Sequence, residues 1–255
     1  MMDYSQDPNY LQTAGRALDI LKLFQKRAYL SLTDISKLTG LSVSIAYRLL
    51  HTLCVHGFLD QTKSRKLYCL GEQAMLLGQM GLYGHEMAKA AGELVQQWYT
   101  QTGHSISIMV QISKYAINIR RISPLEDDLD MVYVGVPSPL HLGASQRVLL
   151  ANMMESEQQA YVDDLFLDEK AKAALLEELK RIKERGYDYT EEQVTKGFWA
   201  MAIPIFYEKG QLAGAVASMD YIAGSTPEQV EERLRLLKEL ARKVQDNMDR
   251  IRMER

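Results

Sequence analysis

Cysteine is nearly absent from this 255-residue chain, with only Cys54 and Cys69 present. Two cysteines cannot build a disulfide framework, and both lie in segments that read as folded, which excludes a small bridge-stapled scaffold. Long apolar runs are missing as well: no stretch approaches the roughly 20 residues needed to span a bilayer. The opening MMDYSQDPNY has no apolar segment of the signal-peptide kind. The expectation is a cytoplasmic protein with no membrane partner. Catalytic signatures are also lacking, with no Gly-x-Ser-x-Gly elbow, no Walker loop and no His-Glu-x-x-His. His104 beside Ser105, and His141 near Ser145, are the only nucleophile-like neighbours, and each reads more simply as a strand-end or loop residue. His51, Cys54, His56 and Cys69 fall short of a zinc site, because Cys54 sits on the apolar stripe of its helix while His51 faces away from it. No metal, cofactor or enzymatic activity is expected. Internal repeats and low-complexity segments are absent too.

What is present is unevenly placed. The net charge of −3 conceals a basic front and an acidic body: residues 1–71 carry nine Lys or Arg against five Asp or Glu, a net +4, and the remainder carries 21 against 28, a net −7. A basic module on an acidic body suits contact with a polyanion through one end. In that basic part, AGRALDILKLFQKR spaces Ala17, Ile20, Leu21 and Phe24 as a helix, with Thr13 as its expected N-cap. Thr33 is expected to begin a second short helix, with Ile35 and Leu38 inward and Gly40 as its stop.

The stretch SVSIAYRLLHTLCVHGFL then places Ala46, Leu49, Leu50, Leu53 and Cys54 on one helical stripe, with Ser42 as cap and Gly57 as terminator. Opposite that stripe lie Ser44, Tyr47, Arg48, His51 and Thr52. Two helices joined by a tight Gly-containing turn make a helix-turn-helix. The following FLDQTKSRKLYCLG reads as a hairpin around Thr62, Lys63, Ser64 and Arg65, which is a wing. In this arrangement Tyr47 and Arg48 are expected to read base edges, while Lys63, Arg65 and Lys66 clamp phosphates.

The glycines of EQAMLLGQMGLYG predict a bend between domains. HSISIMVQI and KYAINIRRI predict a strand pair turning at Ser113 and Lys114, and DMVYVGV a third strand that Pro137 and Pro139 should stop. Helices are predicted after PSPLHLGAS, at about 155–163 and 169–185, then strands WAMAIPIFY and LAGAVASMDY around Glu208, Lys209 and Gly210. A long closing helix is expected from about Thr226. Strands, then helices, then strands give an α+β domain with an antiparallel sheet.

TAGRALDILKLF, the helix-turn-helix LTDISKLTGLSVSIAYRLLHTLCVHGFL, PLHLGASQRVLLA and the late ERGYDYTEEQVTKGFWAMAIPIFYEKGQLAGAVAS occur in order over almost the whole chain. Together they resemble the IclR family of bacterial transcription regulators. The resemblance implies a winged helix-turn-helix domain (1–72), a linker helix (73–85) and a GAF-like effector-binding and oligomerisation domain (86–255). It also implies a homodimer or homotetramer on a palindromic double-stranded DNA operator, with repression as the commoner action. The recognition helix falls on Ser44, Ile45, Tyr47 and Arg48, and Arg16 becomes a phosphate contact or structural support. Thr33, Ser42 and His51 complete the expected DNA-binding set.

The effector pocket implied by the resemblance falls on Gly143, Ala144 and Ser145, and on Phe198, Ala200, Ala217 and Met219 of the two late strands. The chain departs from the family where it carries Ala200, reads Ala217-Ser218-Met219-Asp220, and has Gln146 and Arg147 after the PLH segment. Hydroxyls that would suit a small carboxylate are therefore expected to be missing. An ionised group buried without donors is costly, so the expected effector is larger and partly apolar or aromatic. Phe198, Met131, Tyr133 and Met219 would form its wall, with Arg147 or a backbone amide as anchor. The alternatives are a regulator answering only to a protein partner and, less favoured, an enzyme with an appended DNA-binding module.

Overall fold

The protein is described by a computed structural model covering residues 7–25, 27–124, 133–207 and 210–253. The chain divides into two compact units, Met1–Tyr83 and Gly84–Arg255. In the first, three helices, α1 (Gln12–Leu23), α2 (Leu32–Thr39) and α3 (Val43–Val55), precede a hairpin of β1 (Leu59–Gln61) and β2 (Tyr68–Leu70), then α4 (Glu72–Gly84). The core joins Ile20 of α1 and Phe24 at its C-cap, Ile35 of α2, Leu50 of α3 and Leu59 and Tyr68 of the hairpin.

Local chemistry sets these boundaries, and in places it differs from expectation. α1 begins after Leu11, which makes no side-chain cap, so Thr13 lies inside the first turn. α2 is capped by Ser31, not Thr33: Ser31 Oγ accepts from the Asp34 N–H at 3.1 Å, and Asp34 Oδ2 accepts from the Ser31 N–H at 3.1 Å, a reciprocal capping box. The buried stripe of α2 runs through Leu32 and Ile35, which turns Leu38 outward to 51% exposure. Gly40 adopts φ 67°, the left-handed conformation that ends the helix at no steric cost. Ser42 then caps α3, accepting from the Ile45 N–H at 3.4 Å.

Gly78 and Gly81 sit inside the continuous α4 rather than at a bend. The helix ends at Gly84, and His85 caps the next one, its Nδ1 accepting from the Met87 N–H at 3.3 Å. Met75, Leu76, Leu77 and Met80 of α4 are all exposed.

The second unit opens with α5 (Glu86–Thr102) and the strand pair β3 (Ile106–Ile112) and β4 (Tyr115–Ile122). Next come β5 (Pro137–Pro139), α6 (Ala144–Ala151), α7 (Glu155–Asp163) and α8 (Glu169–Arg185). β6 (Asp188–Glu191), β7 (Phe198–Phe206), β8 (Leu212–Tyr221) and α9 (Pro227–Met253) close the chain. The six strands form one antiparallel sheet in the order β5-β4-β3-β8-β7-β6. The expected DMVYVGV strand lies partly outside the described residues, as do Glu208 and Lys209 of the late turn. Pro137 and Pro139 do not end a strand; they form one, at the edge of the sheet beside β4. Two residues apart, they face the same way, and a strand with one free side can turn both missing donors outward.

Alternation gives the sheet two unlike faces. Ala202, Ala215 and Ala217 pack with Val148 and Leu149 of α6 and with Leu179 and Ile182 of α8. On the other face lie α5 and α9, where Leu237, Leu240, Val244 and Met248 are buried at helical spacing. Small residues on the first face leave room beneath α6.

Candidate functional site

In the first unit, α3 buries Ala46, Leu49, Leu50 and Leu53 and leaves Ser44, Ile45, Tyr47, Arg48 and His51 exposed. Cys54 is half-buried against the core. Tyr47 and His51, one turn apart, stack with ring centroids 6.4 Å apart and an interplanar angle of 17°. The hairpin turn exposes Lys63, Arg65 and Lys66. Among the described residues, none of Arg48, Lys63, Arg65 or Lys66 is held in an ion pair. Cations of the second unit such as Arg147, Arg185, Arg233 and Arg235 are all engaged by carboxylates. Unneutralised cations on a helix and a neighbouring hairpin form a surface suited to a polyanion. Ser42 and Thr33 are exposed at the starts of their helices, and Arg16 is half-buried on α1.

In the second unit, a narrow cavity of about 60 Å³ lies between the N-terminus of α6 and the small-residue face of β7 and β8. Seven of the expected effector residues line it: Gly143, Ala144, Ser145, Phe198, Ala200, Ala217 and Met219. Gly143 holds φ 90°, and a Cβ there would stand 2.7 Å from Gln146 Oε1 and 2.8 Å from Val194 Cγ2. Only glycine fits. Its N–H donates to Gln193 Oε1 at 3.2 Å, tying the helix start to the loop that closes the cavity. The first-turn amides of Ala144, Ser145 and Gln146 have no carbonyl to reach within a helix, and those same residues line the cavity.

Two of the other expected lining residues stand away from the cavity, and a third is not described. Met131 lies outside the described residues. Tyr133 is exposed, away from the cavity lining. Arg147 turns away from the cavity to Asp188, Nε to Oδ2 at 2.8 Å and Nη2 to Oδ1 at 2.9 Å. With Asp188 wholly buried and Arg147 9% exposed, that guanidinium is committed to an internal ion pair and cannot anchor a ligand.

Hydroxyls are not missing either; they come from other elements. Ser107 of β3, Thr190 of β6 and Thr195 join Ser145 around the cavity, with Gln146 and Gln193. Ser107 and Met109 were legible in principle, since β3 pairs them with Ala217 and Ala215 on one sheet face. Thr190, Gln193, Val194 and Thr195 belong to a region where no apolar alternation marks a strand. Among the described residues, no side chain lining the cavity carries a formal charge.

The polar groups nearby are satisfied elsewhere. Ser218 Oγ donates to the Ser105 carbonyl at 2.6 Å and accepts from Arg233 Nη1 at 3.1 Å, while Arg233 Nη2 donates to Asp220 at 2.9 Å. His141 Nδ1 lies 2.9 Å from the Tyr161 hydroxyl, which also accepts from the Leu140 N–H at 2.8 Å. Burial pushes the Tyr161 phenol up and the His141 imidazole down. His141 therefore pairs with Tyr161, and Ser145 donates instead to Gln146 at 2.9 Å. Ser105 engages the Met219 N–H at 3.0 Å rather than His104.

Two family models match the chain: an IclR helix-turn-helix domain over residues 13–63 and the bacterial transcriptional regulator IclR C-terminal domain over residues 79–247. The HTH-type transcriptional regulator XynR of Escherichia coli is 27% identical over 214 residues, covering 81% of this chain and 85% of that protein. Among solved structures, an IclR transcriptional regulator from Alicyclobacillus acidocaldarius superposes with TM-score 0.73 at 23% identity, covering 94% of this chain and 99% of the other. An IclR homologue from Microbacterium hydrocarbonoxydans, solved in complex with 4-hydroxybenzoate, gives TM-score 0.73 at 19% identity over 93% and 99%. At these identities the structural likenesses establish the fold.

Proposed function

Because the chain belongs to the IclR family of bacterial transcriptional regulators, a DNA-binding regulator with a C-terminal ligand-binding domain and not an enzyme, we propose that it represses transcription in the cytoplasm from a near-palindromic operator, as a homodimer or homotetramer, under control of a partly apolar or aromatic carboxylic acid. The observation that carries the reading is the pairing, in one chain, of the unneutralised cations Arg48, Lys63, Arg65 and Lys66 with a lined cavity in the second unit.

On this reading α3 enters the major groove. Ser44, Ile45, Tyr47, Arg48 and His51 face the bases, and Ser42, Thr33, Arg16 and the hairpin cations face the backbone. Two copies related by two-fold symmetry would place two such helices on half-sites about one helical turn apart, or a multiple of it. The apolar exposure of α4 at Met75, Leu76, Leu77 and Met80 supports assembly, since a contiguous apolar surface of this kind marks a site that a partner covers.

The effector's carboxylate would meet the free amides of Ala144, Ser145 and Gln146, where a helix N-terminus favours an anion. Its carbon skeleton would lie on Met109, Phe198, Ala200, Ala217 and Met219. The relative solved with 4-hydroxybenzoate makes an aromatic acid the first candidate. To regulate, the ligand must favour one of two arrangements of the protein over the other.

The test is fluorescence anisotropy of the full chain on DNA from upstream of its own gene, with and without aromatic and small aliphatic carboxylic acids. Salt-dependent binding shifted by an aromatic acid supports the whole reading. A shift by glyoxylate or pyruvate alone would overturn the effector class, and binding that no compound shifts would favour a protein partner as the signal.

A further inference from the structure

The exposed face of α3 is not uniformly polar. Ser44, Arg48 and His51 follow one another at spacings of four and three, so they form a single polar line opposite the buried Ala46, Leu49, Leu50 and Leu53. Beside that line, Ile45 is 39% exposed and belongs to no core cluster. It stands three positions before Arg48, which on a helix makes the two side chains neighbours, with Cβ atoms about 5–6 Å apart. Ser42 fixes the start of the helix by accepting the Ile45 N–H, so Ile45 is held in its first turn, the part of a recognition helix that reaches deepest toward base edges.

A branched apolar side chain next to an unpaired guanidinium is an awkward surface for water and for most proteins. It suits one feature of duplex DNA. In the major groove a guanine offers paired acceptors that an arginine meets with two hydrogen bonds, and thymine alone offers an apolar group, its C5 methyl. Resting on the reading that α3 enters the major groove, we propose that Ile45 is a specificity determinant that packs on a thymine methyl, adjacent to a guanine held by Arg48. Each half-site then carries a thymine within a base step or two of that guanine. The cations of the hairpin, free of ion pairs, favour DNA over an apolar protein as the occupant of this face.

The experiment is a deoxyuridine scan. The full chain is used to select its preferred duplex from a random pool, and each thymine of that duplex is then replaced singly by deoxyuridine, which keeps the pairing and removes the methyl. Affinities are measured for the native chain and for Ile45→Ala, whose exposed position leaves the core untouched. The native chain should lose about three- to five-fold, the worth of one buried methyl, at one thymine per half-site beside a required guanine. Ile45→Ala should bind the thymine and deoxyuridine duplexes equally at that position. No deoxyuridine penalty anywhere, or the same penalty in both proteins, would overturn the assignment while leaving the DNA-binding reading intact. Failure to select any duplex would overturn that reading, and the assignment with it.

Discussion

Arg147 of α6 and Asp188 of β6 meet in a buried two-pronged contact of 2.8 and 2.9 Å, with Arg185 also donating to Asp188 and Glu178 lying 3.5 Å from Arg147. The pair locks the helix that borders the cavity to the sheet strand that carries Thr190. Removing one partner of a buried pair leaves an uncompensated charge, which costs about 3–5 kcal/mol. Asp188→Ala should therefore destabilise the second unit by that order in guanidinium denaturation of the full chain. Joint replacement, Arg147→Met with Asp188→Leu, should recover most of the loss. A single-variant cost below about 1 kcal/mol would mean that the contact behaves as a surface pair and does not hold α6.

Gly143 makes a second test of the same helix. Alanine there meets both an unfavourable φ of 90° and atoms at 2.7 and 2.8 Å. Strain of this kind costs on the order of 1–3 kcal/mol, and relief by moving Gln146 or the loop at Val194 would deform the cavity. Gly143→Ala should lower the urea midpoint and weaken effector binding together. Native affinity for the effector in a destabilised Gly143→Ala protein would remove this end of α6 from the site.

Ser31 is expected to hold the first turn of α2 through its capping box with Asp34. Loss of an N-cap hydroxyl costs about 1 kcal/mol. Ser31→Ala should lower the stability of the first unit by that amount, read by amide exchange within α2, whereas Thr33→Ala should leave α2 protected. The reverse order would restore Thr33 as the cap.

How far the sequence carried these conclusions depended on the kind of signal each element left. α3 and its cap, the turn at Gly40, the strand pair β3 and β4 and the late helices were legible because apolar spacing and capping residues agree there. Ser31 was legible too, since Ser-Leu-Thr-Asp has the capping-box spacing, but Thr33 offers a second hydroxyl at the start of the same helix. β6 left no such mark: Asp188, Tyr189, Thr190 and Glu191 alternate between burial and exposure, but their buried members are polar. Arg147 misled for a related reason. Its partner lies 41 residues away on that unforeseen strand, so a charge committed inside the fold looked free in the sequence. The cavity's hydroxyls came from β3, β6 and the loop before β7, which only sheet pairing brings together.

The second unit carries three histidines whose imidazoles are pushed below their ordinary value of 6.5: His85, His104 and His141. Burial is the main cause for each. At His104 the charge of Arg233 adds to it and Asp220 opposes it; at His85, Glu86 opposes it. The folded chain thus binds fewer protons than the unfolded chain near and below 6.5, so stability rises with pH through that window. It is fully present above the ordinary value and is lost as pH falls toward the lowered ones. Thermal midpoints of the second unit should drop between pH 7.5 and 5.5, and His141→Asn, neutral throughout, should flatten part of the slope. A midpoint that holds or rises over this range would contradict the assignment.

Assembly can be separated from ligand and DNA binding through α4. Leu77 and Met80, three residues apart and both exposed, share one side of that helix. Leu77→Glu with Met80→Glu should shift the protein to a smaller species in sedimentation while leaving the folded content of each unit unchanged. It should also weaken operator binding, because one half-site offers half the contacts. An unchanged sedimentation coefficient would place the subunit interface elsewhere.

Arg48 and Lys63 should fail in different ways. Arg48 stands on the polar line of α3, where its loss removes a contact to a base edge, worth about 1–3 kcal/mol of discrimination. Lys63 stands at the exposed hairpin turn, where its loss removes one phosphate contact that all sequences share. In anisotropy titrations across a salt series, Arg48→Ala should narrow the gap between operator and random DNA. Lys63→Ala should weaken both equally and lower the slope of log affinity against log salt by about one. Equal losses on operator and random DNA for Arg48→Ala would move it from the base-reading face to the backbone. The guanine expected beside the Ile45 thymine would then have no reader, so this pair of titrations also decides how the operator is read.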